Sequence, residues 1–144
     1  MKPFSLDTVL RHRKSLENQA IHRLAKAREE EQEAGRHLRA EEKIMATLLE
    51  TLAQEQSLGI EVVKLAQFEQ RINLIAKQIL TLQTIVQRKK EAVIQAHQHL
   101  IAKSKDRKIM ETLQQKQDEA WRQYLNQKET AALDEVAVIF HNRE

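Results

Sequence analysis

Helix-breaking residues are almost missing from this chain. Two glycines, Gly35 and Gly59, and one proline, Pro3, are spread over 144 residues, so the backbone has few places where it turns without cost. Pro3 stands at the start and Gly35 sits inside a strongly helical stretch. Gly59, after Gln56-Ser57-Leu58, is left as the one interior point for a reversal. Elsewhere Ala, Glu, Lys, Leu, Arg and Gln dominate, residues that lose little on entering a helix. Five aromatics (Phe4, Phe68, Trp121, Tyr124 and Phe140) are too few for a globular core, and 41% hydrophobic residues are too many for a disordered chain. The predicted fold class is therefore all-α, with two long helices forming an antiparallel coiled-coil hairpin. The expected limits are about 5–57 for the first helix, a turn near 58–60, and about 60–140 for the second, as a single hairpin over 1–144.

The apolar pattern supports this. Leu6, Leu10, Ala20, Leu24, Ala27, Ala34, Leu38, Met45, Leu48 and Leu52 recur at spacings of three and four before the turn. After it Leu65, Phe68, Ile72, Ile75, Ile79, Leu82, Val86, Val93, Ala96 and Leu100 keep a strict heptad, the period that holds one seam toward a partner helix. Folding about Gly59 aligns the two stripes when paired residue numbers sum to 120. Leu52 then meets Phe68, Leu48 meets Ile72, Met45 meets Ile75, and Ala34 meets Val86. The same register sets Glu31 against Lys89 and Glu17 against Lys103, turning charges in the seam into opposite-charge partners. Glu41 opposite Ile79 and Arg13 opposite Arg107 fit badly and require long side chains to bend toward water.

The second helix is the longer by about 25 residues, so residues after about 115 lack a partner within the chain. That overhang still carries Trp121, Tyr124, Leu125, Leu133, Val136, Ile139 and Phe140, and an apolar surface of that kind seeks another protein. Charge is uneven as well. Residues 1 to 28 hold seven Lys and Arg against Asp7 and Glu17, whereas residues 41 to 70 hold six Glu against Lys43 and Lys64. Across the hairpin Arg11, Arg13 and Lys14 would join Lys103, Lys105, Arg107 and Lys108 in a basic end suited to an acidic partner.

Several function classes are disfavoured. A two-helix coil offers no concave, dry pocket, so no catalytic residue is expected and the chain is read as a non-enzyme. The absence of cysteine removes thiol chemistry and fits a reducing compartment, and the N-terminus lacks the apolar run of a signal peptide. A cytoplasmic location without direct membrane insertion is expected. Among six histidines the closest, His97 and His99, point about 200° apart on a helix, which is wrong for two ligands, so no metal and no cofactor are expected. Glycines are too sparse for a phosphate-binding loop. The basic end has no aromatic stacking platform, and nucleic acid is not the expected partner.

Both ends of the chain resemble the FliJ family of flagellar export proteins. The opening Phe4-Ser-Leu6-Asp-Thr-Val9-Leu10-Arg-His-Arg13-Lys14, then Glu17, Ala20, Leu24 and Ala27, is similar to that family's N-terminal pattern. Leu113-Gln-Gln-Lys116-Gln117, Trp121-Arg122, Glu129 and Leu133-Asp134-Glu135-Val136-Ala137 are similar to its C-terminal run. The resemblance implies a coiled-coil stalk whose terminal end enters the hexameric export ATPase, whose tip reaches the membrane-embedded export gate, and which escorts export chaperones. The implied ATPase-facing residues are Arg13, Lys14, Lys116, Trp121, Arg122, Asp134 and Glu135. The gate-facing surface would be the tip, where Leu49 and Leu74 lie off the seam beside Phe68. The alternatives are an injectisome stalk protein of the YscO type and a self-associating coiled-coil scaffold or chaperone using the C-terminal overhang.

Overall fold

A computed structural model describes residues 6–143. Helix α1 spans Asp7–Leu58 and helix α2 spans Val62–Asn142. They pack against each other as a helical hairpin, 96% of the described residues are helical, and no strand occurs among them. The expected start near residue 5, with Pro3 and Phe4, lies outside the described residues.

Both helix limits at the turn follow from backbone hydrogen bonding. Gly59 has a φ of +89°, and its N–H donates to the Gln56 carbonyl at 3.3 Å, closing the last turn of α1. The second helix begins at Val62 rather than near 60 because residues 59–61 make the reversal, and its first turn is closed by the Leu65 N–H donating to the Glu61 carbonyl at 2.9 Å. At the other end of α1, Asp7 places a carboxylate in the first turn, where it complements the helix dipole. Helical threonines do not disturb the ladder: the hydroxyls of Thr51, Thr81, Thr84 and Thr112 each donate to the carbonyl four residues earlier.

The described residues fall into two compact units, each containing stretches of both helices. One comprises Ala20–Leu100 and includes the turn; the other takes the residues up to Gln19 and from Ile101 onward. In the first unit, residues 20, 24, 27, 31, 34, 38, 41, 45, 48, 52 and 55 of α1 are all at least half-buried, and so are 65, 68, 72, 75, 79, 82, 86, 89, 93, 96 and 100 of α2. Steps of three and four alternate without a break, as a two-helix seam requires. The full burial is confined to Ala20, Leu24, Ala34, Leu48, Ile75 and Ala96, and no charged residue among those described is fully buried. Leu24 and Ala96, which a sum of 120 sets opposite each other, are both in this set. In the second unit the same rhythm continues through 10, 13 and 17 on α1 and through 103, 107, 110, 114, 117 and 121 on α2.

Ion pairs across the helices hold the register. Glu55–Lys64 at 3.0 Å and Glu30–Lys89 at 3.2 Å have residue numbers that sum to 119. Lys89 thus takes Glu30 rather than Glu31. Glu31 occupies the seam, whereas Glu30 stands on its flank, where the Lys89 ammonium reaches water and carboxylate together.

Candidate functional site

The unit containing both terminal segments is polar inside its seam. Arg13 and Arg107, which the sequence sets against each other, do not meet as like charges. The Arg107 guanidinium donates to the Glu17 carboxylate at 2.9 Å and to Glu111, one turn along its own helix, at 2.8 Å. Arg13 turns to Asp106 at 3.6 Å, and Lys14 lies 4.0 Å from Glu111. Glu17 therefore pairs with Arg107 instead of the expected Lys103, and the planar guanidinium aims its Nε–H at Glu17 and a terminal N–H at Glu111. Gln114 Nε2 donates to Asp7 Oδ1. Within this mesh the Glu17 carboxyl is held below its ordinary value, first by the Ser104 hydroxyl and then by Arg107, against the opposing effect of burial. Arg107 is held more firmly protonated by Glu17 and Glu111.

Within the expected basic end, Glu17, Asp106 and Glu111 are threaded among Arg13, Lys14 and Arg107 and pair with them, while Arg11, Lys103, Lys105 and Lys108 add further positive charge to the same segments. Arg13 is half-buried and already engaged, and its Nε is shielded without a hydrogen-bond partner. Lys14 stays more than half exposed.

The remaining candidate residues of this unit lie along α2. Trp121 is the last residue of the helix that is not exposed, and its ring stacks on Tyr124 with centroids 5.5 Å apart and planes inclined by 27°. Every described residue from Arg122 to Arg143 is exposed, including Arg122, Asp134 and Glu135. Leu125, Leu133, Val136, Val138, Ile139 and Phe140 are large apolar residues in that exposed stretch. Lys116 is exposed one turn before Trp121.

In the unit that holds the turn, Leu49 and Leu74 are exposed apolar residues off the seam, while Phe68 is a half-buried seam residue. Phe68 lines a shallow groove with Ile44, Leu48, Thr51 and Arg71, and Leu74 lines another with Ala40, Thr81 and Leu82. The sequence reading overlooked the apex: Leu58 and Val62 are 86% and 81% exposed, and Val63 is also exposed. An apolar run, Leu58-Gly59-Ile60-Glu61-Val62-Val63, around a turn where no seam position needs it was the available signal.

These surfaces suit contact with proteins. The grooves are open flanks of a helix pair, and no group of three or more metal-ligating side chains occurs among the described residues. No helix among the described residues is long and apolar enough to cross a membrane. A family model described as "Flagellar FliJ protein" matches residues 1–144. No curated protein and no solved structure matches the chain.

Proposed function

The chain belongs to the flagellar FliJ family and is a flagellar export-associated protein, and from that premise we propose that it is a non-catalytic stalk and adaptor of the export apparatus. It binds the hexameric export ATPase by its terminal end and links that ring to the export gate, with export chaperones as further cargo or partners. The chain acts as a single hairpin over 1–144, in the cytoplasm, peripherally associated with the inner-membrane export apparatus.

The observation that carries this reading is the continuation of α2 past Trp121 as an exposed helix rich in apolar side chains. A helix that is apolar without an intramolecular partner is marginal in water and gains most from a protein surface that covers it. Trp121, with its ring stacked on Tyr124, is the natural anchor, since large rigid aromatics dominate binding energy at interfaces. Lys14, Lys116, Arg122, Asp134 and Glu135 supply charges around it, while Arg13 contributes by fixing Asp106. The gate-facing surface comprises Leu49, Phe68 and Leu74, extended by the exposed apex residues Leu58, Val62 and Val63.

The test is ATP hydrolysis by the cognate export ATPase, with this chain, with its Trp121→Ala variant and without either. Stimulation that the variant loses while keeping its helical circular dichroism is the expected result. Unchanged hydrolysis in the presence of the wild-type chain, with no association between the two proteins, would overturn the ATPase-facing assignment.

A further inference from the structure

Up to Trp121 the half-buried positions of α2 advance by alternate steps of three and four. Continuing that rhythm selects Tyr124, Lys128, Ala131, Glu135 and Val138, a stripe interrupted by two charges. A second path collects Trp121, Leu125, Val136 and Phe140 and leaves Leu133, Val138 and Ile139 off it. Trp121, Leu125, Glu129, Ala132, Val136 and Phe140 advance by four, four, three, four and four, with Glu129 the one charged member. Two consecutive steps of four are a stutter, which swings the apolar stripe away from the seam that α1 occupies. Whatever covers this stripe therefore approaches from a different side of α2 than α1 does.

The order of steps reads the same in both directions. Two such helices laid antiparallel would bring Trp121 of each to Phe140 of the other, Leu125 to Val136, and Glu129 to Ala132. Charge has a matching asymmetry: residues 121–130 of the stripe contain Arg122, Lys128 and Glu129, whereas residues 131–140 contain Asp134 and Glu135 and no Lys or Arg. Antiparallel pairing sets the basic half of one copy beside the acidic half of the other, with Lys128 and Glu135 on the same flank of the stripe.

We propose that this stretch of α2 is a self-complementary docking surface for a second copy of the chain, joined antiparallel about a two-fold axis between Thr130 and Ala131. An isologous contact requires a patch that complements itself, and both the apolar spacing and the charge order do so. The stripe covers about 30 Å of helix, so it falls at the small end of specific interfaces, whose standard size is about 800 Å² per partner. The dimer is accordingly reversible and concentration-dependent. This inference goes beyond the export reading, and because the stripe includes Trp121, the two-fold contact and the ATPase contact proposed above use the same surface in turn.

Sedimentation equilibrium of the full chain, from low micromolar to near-millimolar concentration, tests it. Wild type shows a monomer–dimer equilibrium, and Leu125→Asp with Val136→Asp abolishes it while far-UV circular dichroism still reports a folded hairpin. Lys128→Glu alone and Glu135→Lys alone each weaken association several-fold, the two together restore it, and Glu129→Ala tightens it. A chain that remains monomeric throughout, a dimer indifferent to the two aspartates, or a double charge exchange that recovers nothing would overturn the proposal.

Discussion

Alanine at Gly35 and alanine at Gly59 add the same methyl group to two different backbones, and the stability changes should have opposite signs. Gly35 lies within α1, where glycine costs roughly 0.5 to 1 kcal/mol relative to alanine. A Cβ there would come within 3.3 Å of Arg39 Nη1, the far end of a flexible side chain that swings aside at little cost. The net gain should be roughly 0.7 kcal/mol. Gly59 has a φ of +89°, and a Cβ would meet nothing within 4 Å, so the penalty is purely conformational. The left-handed backbone costs an L-residue about 1 to 2 kcal/mol. Restricting the unfolded chain returns about 0.4 to 1 kcal/mol of that, leaving a net loss of about 1 kcal/mol. Urea denaturation followed by far-UV circular dichroism reads both changes, and for a chain of this size each kcal/mol moves the melting temperature by about 3 to 5 °C. The double variant should fall near wild type, because the two sites share no contacts. Two shifts of the same sign, or a Gly35→Ala loss beyond about 0.5 kcal/mol, would refute the reasoning.

Acid should expose the Glu17 network. The folded Glu17 carboxyl titrates below its unfolded value of 4.5, so its stabilisation is complete above that value and disappears as pH falls through the folded one. Urea midpoints between neutral pH and pH 3 should therefore fall more steeply for wild type than for Glu17→Gln, and parallel slopes would contradict the assignment. Within the core, Ile75→Ala should cost about 2 to 4 kcal/mol, because Ile75 is 5% exposed. Leu74→Ala, one residue away and 57% exposed, should stay within about 0.5 kcal/mol in the same assay.

The hairpin was legible because its two determinants are written in single residues. Gly59 is the only interior residue free to adopt a positive φ in the right place, and the alternating steps that begin at Leu65 and Phe68 admit only one buried face. Family membership was legible from the two ends read together: Leu133-Asp134-Glu135-Val136-Ala137 and the opening around Arg13 and Lys14 are each weak signals alone, and their combination goes beyond periodicity. Side-chain partners were not legible. A heptad register fixes which Cα layers meet, but Lys89 takes the flanking Glu30 in place of the seam's Glu31, and Arg107 takes Glu17 and Glu111 together. The apex escaped for a different reason. A glycine identifies a turn, yet says nothing about Leu58 and Val62 on either side, whose exposure depends on where α1 stops and α2 begins.

The turn also sets an order of events. Contacts across the helices join residues nine apart at Glu55–Lys64, 59 apart at Glu30–Lys89, and 107 apart at Asp7–Gln114. Closing a short loop is entropically cheap, and each later contact then closes only a little more chain. The hairpin should therefore zip from Gly59 outward, fast for its size because every step is local to the one before it. Unzipping runs the other way, so within the paired part of the hairpin amide exchange should be quickest around Asp7 and Gln114 and slow progressively toward Leu48 and Ile75.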